Sequence, residues 1–171
     1  MAFSVKWIFE LSQDYPVDLG PYLAQPVSQT LSFRCRGNVE RLVLFPDGRA
    51  IVRAGYAWDG CTPKFALLDL VLGIPDGVPN EKTRKPKTYY ASLVHDVLYQ
   101  FLDVDLPIDR RGADRAFRDL MRRDAFLLGG VYWAFVRLFG WLFRRYTRWK
   151  RSYAGRCVVI PTPAPGERSW H

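Results

Sequence analysis

The hydrophobic pattern of this chain changes period once, near Thr88, and that change limits what the chain can fold into. Before it, apolar and polar side chains alternate, which predicts strands over 29–35 and 41–45. Pro46-Asp47-Gly48 predicts a tight turn, and 50–54 then reads as the returning strand of a hairpin. After Thr88 the apolar residues recur at three and four positions. Ala91, Val94, Leu98, Phe101 and Leu102 fall on one face of a helix over 89–102. Pro107 breaks the pattern and Asp109 stands at a capping position, while Ala113, Ala116, Phe117 and Leu120 mark a second helix. A third helix is expected over about 125–151, bent near Gly140. The predicted fold class is therefore α+β: a small N-terminal antiparallel β-sheet followed by a three-helix C-terminal part. The short link between the first two helices makes them adjacent and antiparallel.

A chain of 171 residues has the length of one domain and can bury a core without disulfide or metal staples. The expected domain is 1–160, β-rich over about 1–60 and helical over about 65–151. Residues 161–171 open with Pro161, Pro163 and Pro165 and are expected to form a disordered tail. Within the domain, 11–26 is rich in Pro, Gly and Tyr and predicts an irregular arm, and 55–64 an ordered loop. The apolar stretch 65–72 predicts one or two helical turns, and 73–87 a solvated loop. The three cysteines, Cys35, Cys61 and Cys157, contain no C-x-x-C pair, so reduced thiols in a reducing compartment are expected. The opening residues lack the basic-then-apolar pattern of a secretory signal, which points to synthesis into the cytosol.

The formal net charge is +8, which favours an anionic partner. Between Ala125 and Gly166 there are seven basic side chains and no acid, interleaved with Trp133, Trp141, Trp149 and several Phe and Tyr residues. The apolar run 125–143 has the length of a bilayer span, but Arg137 lies inside it. Docking at a membrane interface, or packing on the domain, is therefore preferred to crossing.

Chemistry concentrates in the first two helices. His95 and Tyr99 are i, i+4 neighbours. His95 falls within the arc of Ala91, Val94, Leu98 and Leu102, whereas Asp96 turns toward the polar side with Ser92 and Gln100. Asp114 projects from the edge of the second helix's apolar stripe and can approach His95 if the helices pair. A buried carboxylate accepting the imidazole Nδ1–H would fix the tautomer and leave Nε2 free as a base. Each residue also has a plainer role: a core histidine, an exposed helix carboxylate at Asp96, a core tyrosine, or an ion pair of Asp114 with Arg110, Arg111 or Arg118.

Three ordered motifs, Ala54 to Pro63, Tyr90 to Tyr99 and Arg111 to Phe117, together with the ending Tyr132 to Gly140, resemble an uncharacterised phage and prophage family, domain-of-unknown-function family 1353. The likeness covers roughly residues 28–141 and implies a phage or prophage origin without an activity. The helical His95-Asp96-x-x-Tyr99, followed on a second helix by Asp114 and Phe117, also resembles phospholipase A2 enzymes, especially the disulfide-free viral and the bacterial kinds. That resemblance implies His95 as the base that activates water, Asp114 as the carboxylate orienting it, Tyr99 as support for Asp114, and Asp96 as a Ca²⁺ ligand. The glycine-rich calcium loop of those enzymes is missing in its usual form. The segment 55–63, with Asp59, is the candidate to replace it as a second source of metal ligands.

Two functions are expected. One is a hydrolase acting on phospholipid or another ester at an anionic lipid surface. The other is a non-catalytic virion, tail or assembly protein that docks on another phage structural protein through its basic aromatic C-terminal helix. The expected location is the host cytoplasm on synthesis, with the virion or the membrane periphery as later sites. Nucleic-acid binding through Lys82 to Lys87 and Arg144 to Arg151 ranks below both, since no recognition motif accompanies those charges. A zinc enzyme is poorly supported, because the second histidine is His171 and no cysteine stands at ligand spacing.

Overall fold

The computed structural model describes residues 9–58, 66–67, 70–71, 84–124, 126 and 157–162. In chain order the strands are β1 (Phe9–Glu10), β2 (Tyr15–Asp18), β3 (Thr30–Cys35), β4 (Val39–Leu44), β5 (Arg49–Val52), β6 (Ala57–Trp58), β7 (Ala66–Leu67) and β8 (Leu70–Val71). The helices α1 (Tyr89–Phe101) and α2 (Arg110–Arg123) follow, and β9 (Val158–Thr162) comes last.

The main sheet has five strands in the order β2-β5-β4-β3-β9, every neighbour antiparallel. Its register explains which side chains it buries, because successive residues of a strand face opposite sides. Phe33 lies opposite Leu42, Leu42 opposite Val52, Leu44 opposite Ala50, and Ala50 opposite Val17. These residues are all buried and form one apolar face. The other face carries ions: Glu40 accepts from Ser32 at 2.6 Å and from Arg53 Nε at 2.7 Å, and Arg34 and Asp14 extend the network. At the β4–β5 turn Gly48 has φ +83°, and a Cβ there would meet the Gly20 backbone at 2.5 Å. Only glycine fits both demands.

α1 lies on the apolar face and is buried on most of its circumference, nine of its 13 residues being inaccessible. Phe101 packs on Phe33 with ring centroids 5.3 Å apart. At the other end the small β1–β6 pair brings Trp58 to the helix, where its indole N–H donates to Ser92 Oγ at 3.1 Å. Ser92 is therefore interior rather than part of a polar side with Asp96 and Gln100. α2 covers the remaining flank of α1. It starts as expected, with the Asp109 carboxylate accepting from Gly112 N at 2.7 Å. Tyr99 meets Arg110 and Asp114, while His95 meets Asp114 and Phe117. Partner numbers rise along α2 as they fall along α1, so the two helices run antiparallel.

The architecture corrects the expected one. A small sheet followed by a three-helix C-terminal part is not what forms: the fold is α+β with β dominant and, among the described residues, two helices. After the helices the chain returns to the main sheet as β9, through Pro161 and Thr162 of the expected tail. Pro161 is tolerated because β9 is an edge strand, where a missing N–H leaves no inner ladder broken. Apart from buried Phe126, the expected third helix over 125–151 lies outside the described residues. The stretch 65–72 contributes the paired strands β7 and β8 instead of helical turns. β2 and β6 also arise in segments read as arm and loop. Cys35 and Cys157, expected as free thiols, face each other across β3 and β9 and form a disulfide spanning 122 residues. Among the described residues no helix is long and apolar enough to cross a membrane.

The docking of α2 predicts one sensitive position. A Cβ on Gly112 would lie 2.6 Å from Tyr22 O and 2.9 Å from Ile108 Cγ2. Gly112→Ala should therefore lower unfolding stability by about 1–3 kcal/mol despite alanine's better helix propensity. Urea denaturation measures it, and an unchanged or raised midpoint would show that this contact is not tight.

Candidate active site

α1 and α2 meet at a carboxylate. Asp114 has a side chain only 1% exposed, and three side chains converge on it. The Tyr99 hydroxyl donates to its Oδ1 at 2.6 Å. His95 Nε2 stands 3.3 Å from the same oxygen. Arg110 Nε lies 3.9 Å from Oδ2 and donates to the Tyr99 oxygen at 3.1 Å. Helical spacing makes this cluster possible. Tyr99 is one turn beyond His95, and Arg110 one turn before Asp114, so each helix presents an i, i+4 pair to the other.

Burial alone would push the Asp114 carboxyl upward, since an ion in a dry site loses its hydration. Hydrogen bonds from His95 and Tyr99, then the positive charges of a protonated His95 and of Arg110, outweigh that cost and hold it below the usual carboxylate range. Tyr99 shifts the other way: burial first, and its bond to the Asp114 anion second, raise its phenol well above the ordinary value. The pair thus consists of an ionised acid and a neutral phenol.

An ionised carboxylate only accepts hydrogen bonds. His95 Nε2 is therefore the nitrogen that carries the proton facing Asp114, and Nδ1 is the basic nitrogen whenever the ring is neutral. This reverses the arrangement expected from the sequence, in which Nδ1–H faces the carboxylate. Which nitrogen reaches the partner depends on how the ring is turned and on where the neighbouring helix lies, and one helix's residue spacing contains neither. The ring packs against Tyr99 and Phe117 at tilted angles, with centroids at 4.2 and 4.7 Å, and its side chain is 17% exposed. It is held firmly but still reached by solvent.

Of the predicted site residues, His95, Tyr99 and Asp114 come together. Asp96 is half-buried one position along α1, and Asp59 lies outside the described residues. Among the described residues no three His, Cys, Asp or Glu side chains converge. Ca²⁺ takes six to eight oxygens, so the described donors do not amount to a calcium cradle. Arg110 is a member of the site that sequence reasoning did not single out. Its i, i+4 relation to Asp114 was the available signal, but two other arginines were equally plausible partners. The structure separates them: Arg118 pairs with Asp119 at 3.2 Å, and Arg111 is exposed. Arg110 also lines a cavity of about 410 Å³ at the turn between the helices, with Leu102, Asp103, Leu106 and Ile108 among its walls.

A depressed Asp114 has a definite pH signature. A carboxyl whose folded pKa lies below its unfolded value of about 3.9 adds stability above that value and loses it as pH falls through the folded one. Asp114→Asn should cost about 1–3 kcal/mol near pH 7, because its amide faces Arg110 and an acceptor is lost. The variant should also lose less stability than the wild type between about pH 5 and pH 2. Chemical denaturation across that range decides, and parallel acid profiles would mean that folding does not lower the Asp114 carboxyl. No family model, curated protein or solved structure matches the chain, so its activity has to be argued from this geometry.

Proposed function

We propose that the protein is a hydrolase of phage or prophage origin that uses a His/Asp pair to direct water onto an ester, its substrate being phospholipid or another ester at a membrane surface. The observation that carries this reading is the shared Oδ1 of a buried, ionised Asp114. It accepts from Tyr99 and faces Nε2 of a histidine whose ring remains partly open to solvent.

The chemistry is set by the protons. Neutral His95 removes a proton from water at Nδ1 as the oxygen attacks the ester carbonyl. The imidazolium that forms is stabilised by Asp114 through Nε2–H, and the proton then passes to the departing alkoxide. Tyr99 keeps Asp114 from rotating, and its raised phenol stays protonated throughout. General-base catalysis of this kind contributes on the order of 10²–10⁴ in rate. The resemblance to phospholipase A2 names the same three residues for the same roles. The basic, aromatic composition of 125–166 suits a protein working against anionic lipid.

A non-catalytic virion, tail or assembly role is the second reading. It draws on edge strand β9, where Val158 and Ile160 stand exposed. Turnover distinguishes the two. The wild type should hydrolyse phospholipid in mixed micelles or a short-chain aryl ester, and His95→Ala should lower kcat by about 10²-fold or more while leaving the circular dichroism spectrum unchanged. Full turnover by a folded His95→Ala would rule the mechanism out, and absence of turnover in the wild type would favour the docking role.

A further inference from the structure

We infer that Arg110 is a positioning residue of this site: by donating to the Tyr99 hydroxyl it dictates the direction of that hydroxyl's proton, and so keeps Asp114 a pure acceptor facing His95. The inference rests on the reading of His95 and Asp114 as a catalytic pair.

A phenol has one proton to give and lone pairs to receive. A guanidinium can only donate. The 3.1 Å contact from Arg110 Nε to Tyr99 therefore occupies a lone pair of the phenol oxygen. The phenol's proton is left for Asp114 Oδ1, 2.6 Å away. Consider the alternative arrangement, in which Asp114 is protonated and donates to Tyr99. The hydroxyl would then have to turn its own proton elsewhere, while Arg110 N–H already points at its oxygen. Arg110 disfavours that state twice, through this bond and through its charge 3.9 Å from Oδ2. With the protonated acid excluded, His95 cannot accept from Asp114 and has to present Nε2–H. The tautomer needed for Nδ1 to act as base is thus set two bonds away, by a residue that does not itself touch the imidazole's reacting nitrogen.

Among the described residues the groups facing Asp114 are His95 and Tyr99 from α1, both at Oδ1, and Arg110 from its own helix, whose charge lies beside Oδ2 without a hydrogen bond to it. Asp109 places Arg110 by capping α2 at the residue before it. The Arg110 side chain is 30% exposed, so placing the guanidinium here carries no large desolvation cost.

The test uses the full chain and two readouts beside ester turnover: the ¹³C titration of the Asp114 carboxyl and the ¹⁵N shifts of the His95 ring. In the wild type Asp114 should titrate below the ordinary carboxylate range, and neutral His95 should carry its proton on Nε2. Arg110→Gln should move the Asp114 midpoint to higher pH and populate the Nδ1–H tautomer. It should also lower kcat by about tenfold with KM unchanged, as expected when only a transition-state interaction is lost. Arg110→Lys, which keeps a charged donor, should recover most of the Asp114 midpoint. If Arg110→Gln leaves both the midpoint and the tautomer ratio at their wild-type values, the positioning role is overturned. If that variant does not fold, Tyr99→Phe breaks the same relay with Arg110 in place, and an unmoved Asp114 midpoint there overturns the role equally. A wild type without turnover, but with Asp114 and His95 responding to Arg110→Gln, would leave the role standing and remove the hydrolase reading instead.

Discussion

A carboxylate sealed from water has to be supplied with donors by the protein, and at the α1–α2 junction this requirement organises everything around it. Asp114 is held by a phenol, an imidazole and a guanidinium drawn from two helices. Removing these donors together would leave an ion in a dry site, a cost of several kcal/mol if nothing relaxed. The helices can therefore neither slide nor rotate freely against one another. α1 in turn is fixed to the sheet by Phe33 against Phe101 and to the β1–β6 pair by Trp58 at Ser92. The place of the imidazole is thus set by the main sheet, through a helix that has almost no free face.

The two helices were readable because each has one strong apolar stripe and Asp109 is a good capping residue. The β4–β5 hairpin was readable because Pro46-Asp47-Gly48 leaves the chain few options there. β3 was readable too, from the alternation over 29–35, but the remaining strands were not. β1 and β6 are two residues long, and β2 runs through Pro16. Such segments have no periodicity of their own and are strands because a partner offers them backbone groups. β9 escaped for a related reason: Pro161 signals a break when read locally and an edge position only once β3 lies beside it. The Cys35–Cys157 pairing depends on that same closure across the chain.

At the site, the residue types and their spacing could be read, but the proton positions could not. His95, Tyr99 and Asp114 were each visible at the right helical interval. The roles of the two ring nitrogens follow from how the ring is turned toward Asp114, while Gly112 lets α2 come close to Tyr22 and Ile108. Arg110, Arg111 and Arg118 were equivalent candidates until the rotation of α2 was known. Only Arg110 points at the anion.

Stability and chemistry draw on these bonds unequally. Asp114 is interior, and the fold depends on its donors whether or not any substrate is turned over. His95 is different: its ring has two aromatic neighbours and an opening to solvent, and Tyr99 and Arg110 still serve the anion when the imidazole is absent. A purely structural cluster would gain little from a third, partly exposed donor on an oxygen that already receives a 2.6 Å bond. The expendable member of the cluster is also the one that can move a proton, and that asymmetry favours a catalytic purpose over a merely cohesive one.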